Sequence, residues 1–270
     1  MDTKTLYLEI FQPFAQYRNL FTFYYAQTFP LPPPSTIIGM LQNATGRYYD
    51  TEFWDLKVSI HGGFESVFWN YQQLIKGGTE LSKKDGKIVL LNQNLPLYGN
   101  GLTSQRSPVY QQELFNGHLF IFIRGKEALI DEIHGALKNP RKILYLGRSE
   151  DVIFIKDIKE VHSEKKTVKR NIWMSYPTYI QEQKERKFPI KNVKYPVYSI
   201  PLKTVFKNKE IPIKNKSEIT KGTDRETEFG SVIYTGYDYS IYLNDKVEVE
   251  RIDVNGNKFK IPVEWGWLHA

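Results

Sequence analysis

Three side chains of this sequence could together cut RNA without a metal ion. His118 follows Asn116-Gly117, and a histidine that titrates near neutral pH can act as the general base for a 2′-hydroxyl. Tyr48 or Tyr49 could assist it, and Lys126 could supply a cation near the reacting phosphate. A turn histidine without any role is the more common case, so the sequence leaves both interpretations of His118 open.

Other catalytic and metal-binding motifs are absent from the sequence. The chain has no cysteine, which excludes disulfides and thiolate metal sites. Its five histidines form no His-x-x-x-His pair, and there is no nucleophile elbow, phosphate-binding loop or dinucleotide fingerprint. We therefore expect neither a metal ion nor a cofactor.

A second set of residues has the types that bind single-stranded RNA. Arg18 follows Tyr17, Arg47 precedes Tyr48, and Arg106 lies in a polar segment after Gln105. A guanidinium can hydrogen-bond two phosphate oxygens, and unpaired bases stack on aromatic rings or on guanidinium planes. Each site alone is weak evidence, because exposed arginines are common. Together they favour an RNA-binding surface over an enclosed active site.

The segment 29–41 predicts a proline-preceded helix whose start could hold a phosphate. Prolines fix an extended entry, and Ser35 is placed to cap the first turn. Ile37, Ile38 and Leu41 then define an apolar helix face, and Thr45-Gly46 ends it. Free backbone N–H groups near Ser35 suit an anion, although a core helix without a ligand explains the same pattern.

The charge of the chain is concentrated in its middle. The 270 residues carry a net charge of +7, yet residues 138–216 contain 20 Lys and Arg against 8 Asp and Glu. A basic segment on a near-neutral body indicates a polyanionic partner, and a solvated lysine-rich surface is the alternative. No window is apolar enough for a membrane span and no secretory signal is visible, so we expect a cytoplasmic protein without membrane contact.

The strand and helix signals predict an α+β fold of the ferredoxin type, an antiparallel sheet with helices on one face that often serves as an RNA platform. Asn116-Gly117 is a strong hairpin signal between two of its strands. The elements expected are strands at 5–11, 56–61 (ended by Gly62-Gly63), 109–115, 118–124, 142–146 and 152–158, and helices at 35–45 and 126–138. Residues 64–75 either extend the second strand or form another.

Three regions follow from these patterns. Residues 1–160 form the sheet domain, and the polar segment 77–108 is a long insertion with a hairpin-type turn at Lys83-Lys84-Asp85-Gly86-Lys87. Residues 161–270 read as a β-rich domain or extension, in which Asn255-Gly256 predicts another hairpin.

Three sequence blocks resemble the Cas5 family of CRISPR-associated proteins. They are Phe11-Gln12-Pro13-Phe14-Ala15-Gln16-Tyr17-Arg18, Pro32-Pro33-Pro34-Ser35-Thr36-Ile37-Ile38-Gly39-Met40-Leu41 and Tyr145-Leu146-Gly147-Arg148-Ser149-Glu150-Asp151. The resemblance covers about residues 4–160 and is strongest to the type I-B branch.

The resemblance implies a ferredoxin-like RAMP domain with an inserted β-hairpin thumb, here residues 77–108, and a variable C-terminal part. It implies a non-catalytic subunit of a type I antiviral effector complex (Cascade). Such a subunit holds the repeat-derived 5′ handle of the guide RNA and contacts the large subunit and the first backbone subunit. Target DNA would be met only indirectly, since guide pairing supplies the sequence specificity.

The resemblance also bears on individual residues. Gly147-Arg148 lies in the family's glycine-containing turn, which is near RNA or supports the sheet. The type I-C branch cuts precursor RNA with a Tyr, a Lys and a His, but no Lys precedes His118 here, which weighs against cleavage. The RNA-binding residues predicted in all are Tyr17, Arg18, Ser35, Thr36, Arg47, Lys83, Lys84, Gln105, Arg106, Gly147 and Arg148.

Overall fold

A computed structural model describes residues 3–22, 25–76, 81–84, 87–90, 105–183, 185–191, 195–206, 225–236 and 240–269. For the strand residues 73–76, 81–84, 87–90, 105–107, 206 and 225 it describes the backbone alone. The elements are β1 (Thr3–Ala15), β2 (Tyr25–Ala26), α1 (Pro34–Thr45), a 3-10 helix (Thr51–Asp55), β3 (Lys57–Lys76), β4 (Leu81–Lys84), β5 (Lys87–Leu90), β6 (Gln105–Lys126), α2 (Glu127–Lys138), β7 (Phe154–Glu160), β8 (Glu164–Val168), β9 (Asn171–Trp173), β10 (Tyr179–Gln181), β11 (Val197–Phe206), β12 (Arg225–Tyr234), β13 (Ser240–Tyr242), β14 (Val247–Val254) and β15 (Asn257–Pro262).

The main sheet is antiparallel and has the order β3-β6-β1-β7. Beyond the end of β1, the short strand β2 pairs with β6 in parallel, Tyr25 opposite Tyr110. The described residues are thus mostly β structure with two α-helices, which agrees with the expected α+β class. Both helices, of 12 residues each, fall short of the length and apolarity of a membrane-spanning helix.

Both helices pack on one side of this sheet and form the larger core with it. Alternate residues of a strand point to opposite sides, so Leu6, Leu8 and Ile10 of β1 face the helices. The helices contribute residues at a spacing of three and four, including Ile37 of α1 and Ile133 of α2. Each such fully buried aliphatic side chain stabilises the fold by roughly 1.5–3 kcal/mol.

The start of α1 differs from the sequence prediction. Pro33, not Ser35, is the N-cap residue, and its carbonyl accepts hydrogen bonds from Thr36 N at 3.0 Å and Ile37 N at 3.3 Å. The expected cap by Ser35 is wrong because Pro34 already suits the first helical position, where it needs no N–H partner. The end of the helix is as predicted, with Gly46 at φ +76°.

Strand β6 joins two predicted strands into one, and β3 continues through residues 64–75, as one of the two predicted alternatives had it. Gly62-Gly63 does not end β3, and Asn116-Gly117 makes no hairpin, since Gly117 pairs with both Gln12 and Phe64. A Cβ on Gly117 would lie 2.2 Å from the Phe64 ring, so glycine is needed for close packing and not for a turn. β3 and β6 continue as a two-stranded ribbon to the pair Lys76–Gln105.

Two further strand predictions are corrected. The first strand, predicted to end at Phe11, extends to Ala15. Residues 142–146 form no strand but only an isolated bridge between Tyr145 and Val152. Within the insertion, Lys84 pairs with Lys87 across the predicted turn.

The C-terminal residues pack against the main sheet in two places. The predicted hairpin at Asn255-Gly256 is confirmed, with φ of +52° and +79°, and it joins β14 to β15. Tyr179 Oη donates to Leu31 O at 3.0 Å and thereby fixes the entry to α1. Tyr179 and Leu268 belong to the same core as β1. The domain division at about residue 160 stays a prediction.

The β14–β15 hairpin covers part of the sheet side that faces away from the helices. We call this side the open face. Tyr7, Phe120 and Phe122 of the open face are buried, and the rings of Phe122 and Phe259 lie 5.0 Å apart. The residues that cover the sheet in this second core are Ile252, Val254, Phe259 and Ile261 of the hairpin and Trp267, which follows it.

Candidate nucleic-acid interface

The hairpin leaves one end of the open face uncovered. Phe11 and His118 lie opposite each other on β1 and β6 there, one pair beyond the covered residue Phe120. The side chain of His118 is 54% exposed. Phe154 of β7 pairs with Phe11 and is itself half-exposed. Aromatic side chains that would elsewhere be buried are therefore presented to solvent.

Two more exposed rings extend this end of the face. Ala15 and Leu114 belong to the core on the helix side, so their neighbours Phe14 and Phe115 point to the open face. The rings of Phe14 and Phe115 lie 5.2 Å apart. Asn116, with φ +56°, lies where the alternation along β6 shifts by one residue.

Lys156 places a positive charge among these rings. Its Nζ lies 5.4 Å from the centre of the Phe11 ring, and the Phe11 and Phe154 rings are 6.3 Å apart. Among the described residues, Lys156 has no carboxylate partner. We call Phe11, Phe14, Phe115, His118, Phe154 and Lys156 the aromatic strip.

A groove of about 650 Å³ runs along the covered edge of the aromatic strip. Within it, His118 Nε2 lies 2.9 Å from Glu9 Oε1, and Tyr7 Oη donates to Glu9 Oε2 at 2.8 Å. Burial, with help from the Glu9 carboxylate, raises the pKa of Tyr7 above its usual value, so the phenol keeps its proton and remains a donor. Tyr7 therefore holds Glu9, and Glu9 orients the His118 imidazole.

The predicted catalytic trio is not brought together. Tyr48 is buried, and its hydroxyl bonds to Asn43 at 3.0 Å and to Lys142 Nζ at 2.7 Å. Lys126 lies eight residues from His118 on the same strand, about 27 Å along it at ~3.4 Å per residue. The cation that shares the groove with His118 is Lys156, which the sequence analysis missed.

Arg47 is half-buried and is held by acidic side chains of the protein itself. Its guanidinium contacts Asp50 at 2.6 Å, Glu52 at 2.7 Å and Glu132 at 2.6 Å. Hydrogen bonds to these carboxylates raise its pKa still further. Three acidic partners leave no net positive charge for a phosphate, so an RNA contact by Arg47 is not supported.

The Gly147-Arg148 turn supports the sheet. Asp151 Oδ2 accepts from Gln16 N at 3.1 Å and from Arg148 N at 2.8 Å, and Asp151 Oδ1 accepts from Arg148 Nη2 at 2.8 Å. Arg148 also pairs with Glu113 at 3.1 Å. Of the two roles that the resemblance left open for this turn, the contacts favour the structural one.

Tyr17 also has a structural position. It is 2% exposed, and its hydroxyl donates to Gln12 Oε1 at 2.6 Å. A ring so enclosed offers no face for stacking a base, which corrects its predicted role. Gln12 in turn donates to Leu146 O at 2.7 Å, so Tyr17 supports the Gly147-Arg148 turn through Gln12.

The remaining predicted residues are scattered. Ser35 and Thr36 are half-buried on the helix side, away from the open face, whereas Arg18 is exposed and bridges to Thr28. Their RNA contacts stay predictions. The side chains of Lys83, Lys84, Gln105 and Arg106 lie outside the described residues.

The sequence contained partial signals for the aromatic strip. Phe11 and Phe14 flank Pro13, a residue rarely found inside a paired strand, and Lys156 belongs to the basic middle segment. The described residues contain no cluster of three or more potential metal ligands.

The chain is similar to known proteins over most of its length. The profile of a family described as CRISPR-associated protein (Cas_Cas5) matches residues 5–237. A chain of a structure described as "CRISPR RNA-guided surveillance complex" is similar with a TM-score of 0.50 and 15% identity, covering 98% of this chain and 93% of that one. A CRISPR protein from Archaeoglobus fulgidus is similar with a TM-score of 0.41 and 10% identity, covering 97% and 100%. No curated protein matches.

Proposed function

Because this chain belongs to the CRISPR-associated Cas5 family, we propose that it binds guide RNA as a subunit of a type I antiviral effector complex (Cascade). The observation that carries the placement of the RNA is the aromatic strip, where exposed rings surround a lysine that has no acidic partner among the described residues. Proteins bind single-stranded nucleic acids by stacking bases on exposed aromatic rings and by placing cations against the phosphates.

The binding mechanism uses two kinds of contact. Splayed bases stack on Phe14, Phe115 and Phe154, each worth about 1–3 kcal/mol, while Lys156 neutralises a phosphate. His118 lies within reach of the same bases and presents its free ring edge. The ligand that we propose is the repeat-derived 5′ handle of the guide RNA, and the protein performs no chemistry on it.

The fold supports a finer assignment. We propose a ferredoxin-like domain of the kind found in RAMP proteins, and the succession β1, α1, β3, β6, α2, β7 with the sheet order β3-β6-β1-β7 supports this proposal. The type I-B branch stays a prediction, whereas the matching profile bears the name Cas5d, which belongs to type I-C.

Protein partners have a different surface available. Tyr25, Trp69, Tyr71 and Tyr110 form a half-exposed ring cluster on the ribbon, with Tyr25 and Tyr110 stacked at 5.5 Å. Tyr110 precedes Leu114 of the helix-side core by four residues on β6, and residues an even number apart on a strand point to the same side. The cluster therefore lies on the helix side, away from the open face. Tyr and Trp dominate protein interfaces, and we propose that a backbone or large subunit docks here.

The RNA proposal is tested by equilibrium binding of the full chain to labelled repeat RNA. We expect Lys156→Ala and Phe154→Ala each to weaken binding several-fold, whereas Lys246→Ala removes an exposed lysine elsewhere and should leave affinity unchanged. Equal affinity of all four proteins would overturn this placement of the RNA.

A second candidate function is cleavage of precursor guide RNA without a metal ion. The hydrogen-bonded series Tyr7, Glu9, His118 beside Lys156 favours it, because an oriented imidazole next to a cation suits attack by a 2′-hydroxyl. Incubation of the full chain with labelled repeat RNA in EDTA distinguishes RNA binding alone from metal-independent RNA cleavage. Specific cleavage that is lost in His118→Ala would replace the binding proposal by the enzymatic one.

A further inference from the structure

A second, larger groove meets the aromatic strip at one end. Its volume is about 1050 Å³, and it lies between the segment that follows α2 and the strand β7. Phe154 and Lys156 of the aromatic strip line it as well. Four cations line this groove, and we call it the basic groove: Lys138, Arg141, Lys142 and Lys156.

The charges of the basic groove are largely uncompensated. Among the described residues, neither Lys138 nor Arg141 forms an ion pair, and both are exposed. Lys142 has no carboxylate partner among the described residues either, and its Nζ donates to the Tyr48 hydroxyl at 2.7 Å. The one acid in the lining, Asp157, is paired with Lys159 at 2.8 Å. The groove therefore presents a strongly positive field to solvent.

Apolar surface accompanies these cations. Ile143 is 75% exposed between Lys142 and the buried Leu144, and Phe154 is 52% exposed on the facing strand. An alternation of cations with exposed apolar side chains suits a chain of phosphates that carries bases, because both parts of each nucleotide then find a partner.

We propose that the RNA continues from the aromatic strip past Phe154 and lays its phosphodiester backbone along the basic groove. This inference rests on the proposed function and extends it from one phosphate contact to four. Continuity at Lys156, which lines both grooves, is the geometric reason for one ligand spanning them. Because phosphates carry no sequence information, this part of the contact is independent of RNA sequence.

The test is the salt dependence of RNA binding by the full chain. For single strands, the logarithm of affinity falls with the logarithm of salt by about 0.7 per neutralised phosphate. We expect Lys138→Ala and Arg141→Ala each to reduce this slope by about 0.7, and the double variant by about 1.4, for repeat RNA and for an unrelated single strand alike. Phe154→Ala should weaken binding without changing the slope, and Lys246→Ala should change neither.

The outcomes separate the two levels of the proposal. An unchanged slope in the Lys138 and Arg141 variants, with normal wild-type binding, would overturn the path along the basic groove and leave the aromatic strip standing. The groove would then be free for an acidic protein partner. Failure of the wild-type chain to bind either RNA would overturn both proposals. Equal melting temperatures of all variants would verify that these exposed substitutions leave the fold intact.

Discussion

The guanidinium carbon of Arg124 lies 3.9 Å from the centre of the Trp267 ring. The same guanidinium donates to Glu250 Oε1 at 2.9 Å and to Thr5 Oγ1 at 3.0 Å. A single side chain of β6 thus fixes both the β14 strand and the chain end over the open face. The extent of the uncovered aromatic strip depends on this attachment.

The Arg124–Glu250 pair is expected to be a major contributor to stability. The Glu250 side chain is 3% exposed, and removal of one partner from a buried pair leaves an uncompensated charge. We expect Arg124→Ala to lower the free energy of unfolding by about 3–5 kcal/mol in urea titrations. Arg186→Ala breaks an exposed pair with Glu264 and should cost at most about 1 kcal/mol. Similar losses in both variants would contradict this assignment.

Gly147 is expected to tolerate no side chain. Its φ is +114°, and a Cβ there would lie 2.7 Å from Asp151 Oδ2 and 3.0 Å from Gln16 O. We expect Gly147→Ala to destabilise the protein by about 1–3 kcal/mol, because it strains the backbone and displaces the carboxylate that holds the turn.

The matched control for this glycine is Gly39 in α1. Apart from its chain neighbours and the adjacent helix backbone, no described atom lies within 4 Å of a Cβ built there, so Gly39→Ala should stabilise the helix by about 0.5–1 kcal/mol. Urea titration of both variants measures the contrast. If the two substitutions had effects of the same sign, the role of the Gly147 turn would be refuted.

His61 is expected to make the protein sensitive to acid. Burial lowers its pKa from 6.5 to about 3, and its Nε2 lies 3.1 Å from Ser59 Oγ. The unfolded chain binds a proton below pH 6.5 and the folded protein does not, so stability is lost as the pH falls from 6.5 toward 3. The loss attributable to His61 is about 2 kcal/mol between pH 7 and pH 5.

The measurement is the change in unfolding free energy between pH 7 and pH 5, in the wild type and in His61→Leu. The variant should lose about 2 kcal/mol less than the wild type over this interval, whatever its absolute stability. Identical pH slopes would show that His61 is protonated in the folded protein.

Local sequence signals predicted an element correctly where the strands around it in the fold favour the same structure. The same Asn-Gly dipeptide makes a hairpin at Asn255 and none at Asn116. Among the described residues, no third strand pairs with the chain at Asn255-Gly256, whereas β6 is held at Gly117 by β1 on one edge and β3 on the other. Pairing along both edges of a strand outweighs the preference of two residues for a turn.

The candidate site was harder to predict for the same reason. Arg47 and Arg148 resemble ligand-binding residues in sequence, but each meets a carboxylate more than thirty positions away, Glu132 and Glu113. Conversely, Phe154 is an ordinary strand residue in the sequence, and its place in the candidate site follows only from the extent of the cover by β14 and β15. Which cations are free and which rings are exposed are properties of the tertiary structure.

The ring cluster of Tyr25, Trp69, Tyr71 and Tyr110 is expected to serve assembly and not RNA binding. It contains no cation and faces away from the aromatic strip, so a phosphodiester gains little there. We expect the double variant Trp69→Ala/Tyr71→Ala to bind repeat RNA as the wild type does but to lose co-purification with the other subunits. Truncation of two interface anchors costs about 2 kcal/mol each, enough for a thousandfold loss of affinity.

Phe154→Ala is the reciprocal control, because it should weaken RNA binding and leave the protein contacts in place. Loss of RNA affinity in the double variant would instead place the guide on the helix side of the ribbon.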